Sequence, residues 1–202
     1  MPETTNIFVL ILGTVIAYFI GNLSPATIMG KLHGVDIRKE GSGNPGTTNV
    51  LRTLGGKAAA CTLLIDVFKG FIPVILGRYI GGELMAVCCG TAAFAGHNWP
   101  VAYKFKGGKG IATGFGMILA LDWRVGLIAL AAAVIGVLVT KRMSCGSIFA
   151  AVMFSVATFI FRPHLGIWSV AVAALIIWKH RANIKRIIKG EEPPLGFLSK
   201  KK

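Results

Sequence analysis

The sequence predicts an all-α integral membrane protein of seven transmembrane helices, some short or broken, with its N-terminus outside and its C-terminus cytoplasmic. Three observations carry this. Of 202 residues, 54% are hydrophobic and 15% charged, against about a quarter charged in soluble domains, and the mean hydropathy is +0.68. The apolar residues fall in runs that approach the ~20 needed for a helix to cross a bilayer. The net charge of +14 lies in segments between those runs and forms no single basic face, which points to membrane orientation and an anionic ligand and away from nucleic acid.

In chain order, residues 1–6 lack the cationic start of a secretory leader, so the run at 7–23 reads as a retained first helix. Residues 24–54 are polar and too rich in glycine for one continuous helix. The run at 57–79 is long enough to span, and it carries Asp66 and Lys69 three residues apart on one helical face, a pair expected to sit in the protein interior as structural glue. Runs at 84–95 and 111–121 are short. At 1.5 Å per residue, about a dozen residues cover only ~18 Å of a ~30 Å core, so the loop between them is expected to lie below the headgroups. Runs at 125–140, 147–161 and 165–179 complete the seven, and the basic tail 180–202 leaves the membrane.

The cations test this topology. Lys31, Arg38, Lys39, Arg52, Lys57, Lys104, Lys106, Lys109, Lys141, Arg142 and the eight in 179–202 fall on one side, and Arg78, Arg124 and Arg162 on the other. The positive-inside rule puts the first group, with the motif-bearing loops, in the cytoplasm. There is no evident internal repeat, and a single membrane-embedded domain over 1–202 is the simplest count. Cys61, Cys88, Cys89 and Cys145 form no CxxC pair and have no histidine at ligand spacing, so no disulfide and no zinc site is expected.

Three polar stretches carry the candidate chemistry. In GHNWPVAYKFKGGKGIAT, residues 96–113, Gly107, Gly108 and Gly110 let the backbone turn its N–H groups toward one point, Lys109 adds a cation, and the following helix start adds further donors. Phosphate suits such a site. It is no Walker A loop, because Gly110 stands where a magnesium-binding Ser or Thr would follow the lysine. GSGNPGTTNVLR, residues 41–52, supplies small donors and the arginine fork of Arg52, which suits a phosphate. His180 and Asn183, three apart after the last span, would face one way on a continuing helix. Each stretch also has a plain structural reading: a basic surface loop, a connector whose Ser, Asn and Thr cap helices, an interfacial histidine. Ser144 and Ser147 read equally as caps of the helix after Lys141-Arg142. His33 and His164 have no neighbours that recommend them. No serine lies in GxSxG, and of the acids only Asp66 is expected deep in a span, which argues against a hydrolase nucleophile.

Together, GSGNPGTTNVLR, GHNWPVAYKFKGGKGIAT and HRANIKRIIKGEE resemble, in order and spacing, the three signature motifs of the bacterial acyl-phosphate:glycerol-3-phosphate acyltransferases, the PlsY family, over nearly the whole chain. The resemblance implies a seven-helix inner-membrane enzyme, its active site facing the cytoplasm. Such an enzyme transfers a fatty acyl group from acyl phosphate to the 1-hydroxyl of glycerol 3-phosphate, the first acylation of phospholipid synthesis. No coenzyme A, metal or other cofactor is implied, and no obligate protein partner. Carried over by motif position, Ser42, Asn44, Thr48, Asn49 and Arg52 line the site from the first loop. Gly107, Gly108, Lys109 and Gly110 hold phosphate from the second with His97 nearby, and His180 and Asn183 close it from the third. Ser42, Lys109, His180 and Asn183 carry the catalytic expectation and Ser144 a substrate contact. The chain departs from the family pattern at Thr47, where alanine is frequent, and at Ser144-Cys145, where paired serines are frequent.

The residues agree with that chemistry. Acyl phosphate is a mixed anhydride with a good leaving group, so the enzyme has chiefly to place a hydroxyl against the carbonyl and stabilise negative charge. The hydroxyl proton would pass to His180 or to a substrate phosphate oxygen. The His-x4-Asp arrangement of thioester-using acyltransferases is missing: five residues beyond His33, His97, His164 and His180 lie Arg38, Ala102, Ser169 and Lys185. The rival from another class is a transporter of a phosphate-bearing solute, suited by the short spans and the intramembrane Asp66 and Lys69.

Overall fold

A bilayer gives backbone N–H and C=O groups no partners of its own, so long apolar runs satisfy themselves as helices. The computed structural model describes residues 6–195. The leader reading for residues 1–5 and the terminal cations Lys200, Lys201 and Lys202 lie outside the described residues. Each of the seven predicted apolar runs is helical, and among the described residues there is no strand. Among the described residues four helical stretches are long and apolar enough to cross a membrane, or five with the bent pair near the C-terminal end taken as one. The chain divides into two compact units at Leu121 and Asp122.

In the first unit, α1 (Ile7–Gly21) is followed by two short helices, α2 (Pro25–Leu32) and α3 (Thr47–Leu54). Residues 24–54 are thus not one helix, as expected, but they are more ordered than their composition suggested. Ser24 caps α2 and Pro25 occupies its first position, where a missing N–H costs nothing. Ile37 and Val50 are buried against Ala26, Ala58 and Ala59, which fastens the segment to the start of the next helix.

That helix, α4 (Gly56–Asn98), is two helices joined at Gly81 and Gly82, where the backbone leaves the helical region and Gly82 adopts φ +72°. The arms, 56–80 and 83–98, fold back as a hairpin: a Cβ at Gly77 would sit 2.8 Å from the Met85 carbonyl oxygen. Small residues let other helices lie flush on these arms. Gly21 abuts the Ala93 carbonyl and Gly96 that of Tyr18, joining α1 to the second arm. Gly70 abuts the Thr113 carbonyl and Gly116 that of Val67, joining α5 (Ile111–Leu121) to the first. Association in lipid relies on such close packing because lipid is as apolar as the side chains. Large apolar residues such as Phe8, Leu12 and Tyr79 stay exposed on the outside.

The second unit holds α6 (Trp123–Thr140), α7 (Met143–Phe161), α8 (Gly166–Lys179) and α9 (Arg181–Ile188). Asp122 caps α6 and takes two hydrogen bonds from the Arg124 guanidinium, at 3.0 and 2.8 Å, and one from Arg162 at 2.9 Å. The Arg124 hydrogen bond outweighs the burial that would raise the carboxyl and, with Arg162, holds Asp122 well below the ordinary carboxylate range. Gly136 lies against Gly146 where α6 meets α7. The expected basic tail begins as α9, bent 59° from α8. The chain beyond it returns to the α6–α7 turn, where the Leu195 N–H donates to the Lys141 carbonyl at 2.8 Å.

Candidate active site

His97 stands near the end of α4. The chain beyond it makes a short 3-10 turn at Val101–Tyr103, then passes through Lys104 and Phe105, both left-handed at φ +52° and +60°. Hydrogen bonds from Phe105 N–H to the Pro100 carbonyl and from Lys106 N–H to that of Tyr103 hold this tight reversal. It delivers Gly107 to Gly110 back onto the helix end. A side chain at Gly108 would overlap the His97 imidazole, and one at Gly107 would come within 2.6 Å of the Asn98 carbonyl oxygen. Gly110, at φ +79°, sits with no room beside Asn98 and Phe94. The Gly108 N–H donates to the His97 carbonyl at 3.1 Å. Half-buried Lys109 therefore rides on a loop pressed against His97, one residue from the glycine that precedes α5. A helix N-terminus with glycine N–H groups and a lysine favours an anion there.

Beneath this loop lies a buried chain of charge. Lys69 Nζ is 2.7 Å from Asp66 Oδ1 and also donates to the Leu23 carbonyl. The same Asp66 oxygen is 3.4 Å from His97 Nδ1. All three side chains are buried. The expected Asp66–Lys69 pair is present, but it is part of a larger arrangement that ends at the glycine loop.

In the first loop, Asn49 is 1% exposed. Its oxygen accepts from the Ser42 N–H at 2.8 Å, and its amide donates to the Ile37 and Glu40 carbonyls, each at 3.0 Å. Asn49 thus shapes the loop that presents Ser42, a different task from lining a site. Ser42 is exposed, and Asn44 and Thr48 are half-buried. The alternative reading of this loop, a connector whose Ser, Asn and Thr cap helices, does not apply to α3, since Gly46 is the cap and makes no side-chain bond. The α3 start is left to backbone donors, with exposed Arg52 in the last turn. Arg38 ties the two loops together: its guanidinium donates to the Lys106 carbonyl and lies 4.5 Å from the centre of the Tyr103 ring.

In the second unit, Ser144 Oγ and Asn183 Nδ2 both donate to Glu192 Oε1, each at 2.7 Å. Arg186 Nε donates to Glu192 Oε2 at 2.7 Å, and Arg142 Nε to the Glu192 carbonyl at 2.9 Å. Ser144 therefore does not cap α7, and Ser147 does not either, since it donates back to the Met143 carbonyl. Burial alone would raise the Glu192 carboxyl, but the bonds from Asn183, Ser144 and Arg186 prevail and hold it below its ordinary value. His180 sits at the break between α8 and α9, 2% exposed, with Nδ1 2.8 Å from the Ile176 carbonyl oxygen. A carbonyl oxygen only accepts, so that contact puts a proton on Nδ1. The His33 ring bonds the Met29 carbonyl of its own turn.

Sequence reasoning missed the tasks of Arg38, Glu192 and the Asp66–His97 contact. Arg38 was legible only as a topology charge, although it stands three residues before the first glycine motif. Glu192 lies within HRANIKRIIKGEE, and its being an acid in a tail of cations was the available signal.

Comparison with known proteins places these features. Residues 11–190 match the family model described as glycerol-3-phosphate acyltransferase. A glycerol-3-phosphate acyltransferase of Thermoanaerobacter sp. (strain X514) is 47% identical, covering 92% of this chain and 96% of its own. That of Prochlorococcus marinus (strain MIT 9211) is 39% identical, covering 98% and 100%. The crystal structure of PlsY, an integral membrane glycerol 3-phosphate acyltransferase, in its glycerol 3-phosphate form matches with a TM-score of 0.89 at 34% identity, covering 94% of this chain and 96% of that one. Its lysophosphatidic acid form matches at 0.87 and 33% over the same shares. With the first two motif segments and the third as far as Gly190 inside the matched region, and a solved relative matching over 94% of the chain, the chain belongs to the PlsY family of integral membrane glycerol-3-phosphate acyltransferases.

Proposed function

We propose that the protein transfers a fatty acyl group from acyl phosphate to the 1-hydroxyl of glycerol 3-phosphate, giving 1-acyl-glycerol 3-phosphate and inorganic phosphate. The observation that carries this is the Gly107 to Gly110 loop, pressed against His97 at the start of α5 with Lys109 on it, a cradle for a phosphate group. The relatives' named activity supports glycerol 3-phosphate as acceptor. In the reaction the glycerol oxygen attacks the acyl carbonyl, the bond from the acyl carbon to the phosphate oxygen breaks, and phosphate leaves carrying the electron pair. Lys109, Arg52 and the glycine N–H groups offset the charge of the phosphates, and Ser42, Asn44 and Thr48 supply further hydrogen bonds. Asn49 and Glu192 hold Ser42, Ser144 and Asn183 in place. The hydroxyl proton goes to His180 Nε2 or to a phosphate oxygen of the substrate. Neither a covalent acyl-enzyme nor a cofactor is needed, since the leaving group is already activated.

The positive-inside distribution supports seven crossings with the N-terminus outside and the reaction on the cytoplasmic face of the inner membrane. The test is phosphate release from acyl phosphate by purified protein in detergent. Release that depends on glycerol 3-phosphate and matches the lysophosphatidate formed is expected, with acyl-coenzyme A inert as donor. Equal turnover with acyl-coenzyme A, or release without acceptor, would overturn the donor assignment.

A further inference from the structure

We infer that Asp66 is a positioning residue for the glycine loop, acting through His97. The inference rests on the phosphate-binding reading of that loop. Asp66 is on the first arm of the α4 hairpin and His97 at the end of the second, and the fold-back at Gly81 and Gly82 brings Asp66 Oδ1 within 3.4 Å of His97 Nδ1. Lys69 Nζ, 2.7 Å from the same oxygen and bonded to the Leu23 carbonyl, keeps the carboxylate charged and fixed in an apolar surrounding. A carboxylate beside Nδ1 retains the imidazole proton there, and in the neutral ring that leaves the lone pair on Nε2. The Nε2 edge faces Gly108 so closely that a Cβ on that glycine would overlap it. The Gly108 N–H is in turn bonded to the His97 carbonyl. The histidine thus meets the loop with its backbone and with its ring, and Asp66 decides which ring edge, and which protonation of it, the loop packs on. An ion pair of Asp66 and Lys69 alone could have been replaced by apolar residues at no loss of stability. Its place under the loop gives the two buried charges a task that structural glue does not.

Asp66 faces His97 from the first arm, Lys69 shares the same Asp66 oxygen, and Lys109 follows the glycine that packs on the ring. The test uses full-length protein in detergent with 15N-labelled histidine, the His97→Gln variant identifying the His97 signals. Wild type is expected to show a protonated Nδ1 and a bare Nε2 at His97, and Asp66→Asn to lose that signature. Asp66→Asn is expected to lower kcat/KM about 10- to 100-fold, chiefly through KM, and to cost nothing more in the His97→Gln background. The double variant Asp66→Asn/Lys69→Met strands no buried charge and gives the same readouts should the single variant not fold. An unchanged tautomer, or losses from Asp66→Asn and His97→Gln that multiply, would overturn the inference. Absence of acyl transfer by the wild type would instead overturn the function it rests on, and leaves the tautomer measurement standing.

Discussion

Lys109 is half-buried on a loop whose three glycines have no room for side chains, and within residues 107–110 the positive charge offered to an anion is its ammonium. Lys109→Ala is expected to lower kcat/KM about 10²- to 10³-fold, the scale of losing one charge-stabilising donor. Helix content and elution in detergent should match wild type; near-normal turnover would end the phosphate role of the loop. Glu192 makes a different prediction. It is buried and accepts from Ser144, Asn183 and Arg186. Glu192→Gln keeps the shape but loses the charge and turns a donor toward donors, so about 2 kcal/mol of stability should go near neutral pH. The carboxyl is held below its ordinary value, so its contribution is complete above the ordinary carboxylate range and fades as pH falls through the lowered value. Thermal melts of the two proteins should therefore differ most at neutral pH and converge in acid. The glycine loop before α5 was legible in the sequence because Gly107, Gly108 and Gly110 are dense in one short stretch. Asp66 could not be fully read, since its nearest cation in sequence is Lys69 and only the hairpin brings it to His97.

Helix α5 is too short to be held by its own apolar burial in a bilayer, and it depends on flush contact with the first arm of α4. Gly116 meets the Val67 carbonyl and Gly70 meets that of Thr113, backbone against backbone. Gly116→Leu is expected to destabilise by about 1–3 kcal/mol, as overpacking does, and to lower activity further by lifting the loop that α5 carries. Gly56→Ala, where an added Cβ meets nothing within 4 Å, is the matched control. A Gly116→Leu protein with unchanged melting and turnover would show that the contact is dispensable. Element by element, the apolar helices were legible because run length and breaks at Gly81-Gly82 and Pro163 are written in the sequence. Helix α2 was not, because its eight residues are short and mixed in character, and the order of residues 33–46 comes from Asn49 and from Ile37 and Val50 packing on α4.

At the scale of the molecule, the asymmetry of cations predicts orientation. In a cysteine-free background, Lys39→Cys and Lys189→Cys should react with a membrane-impermeant maleimide only after permeabilisation of bacterial cells, whereas Tyr79→Cys, 92% exposed in the structure, should react in intact cells. The reverse pattern would invert the proposed topology and move the reaction off the cytoplasmic face. The sequence carried this level through charge counting alone, and the cations expected outside have structural employment too: Arg78 donates to the Leu121 carbonyl, and Arg124 and Arg162 hold Asp122.

The return of the chain to the α6–α7 turn has a consequence for synthesis. Ser144 and Asn183 acquire their shared acceptor only when Glu192 arrives, and Leu195 then pins the strap to Lys141. Until residue 192 has been added the growing chain lacks the acceptor that Ser144 and Asn183 share, so a product truncated just before Glu192 is expected to melt below the full-length protein.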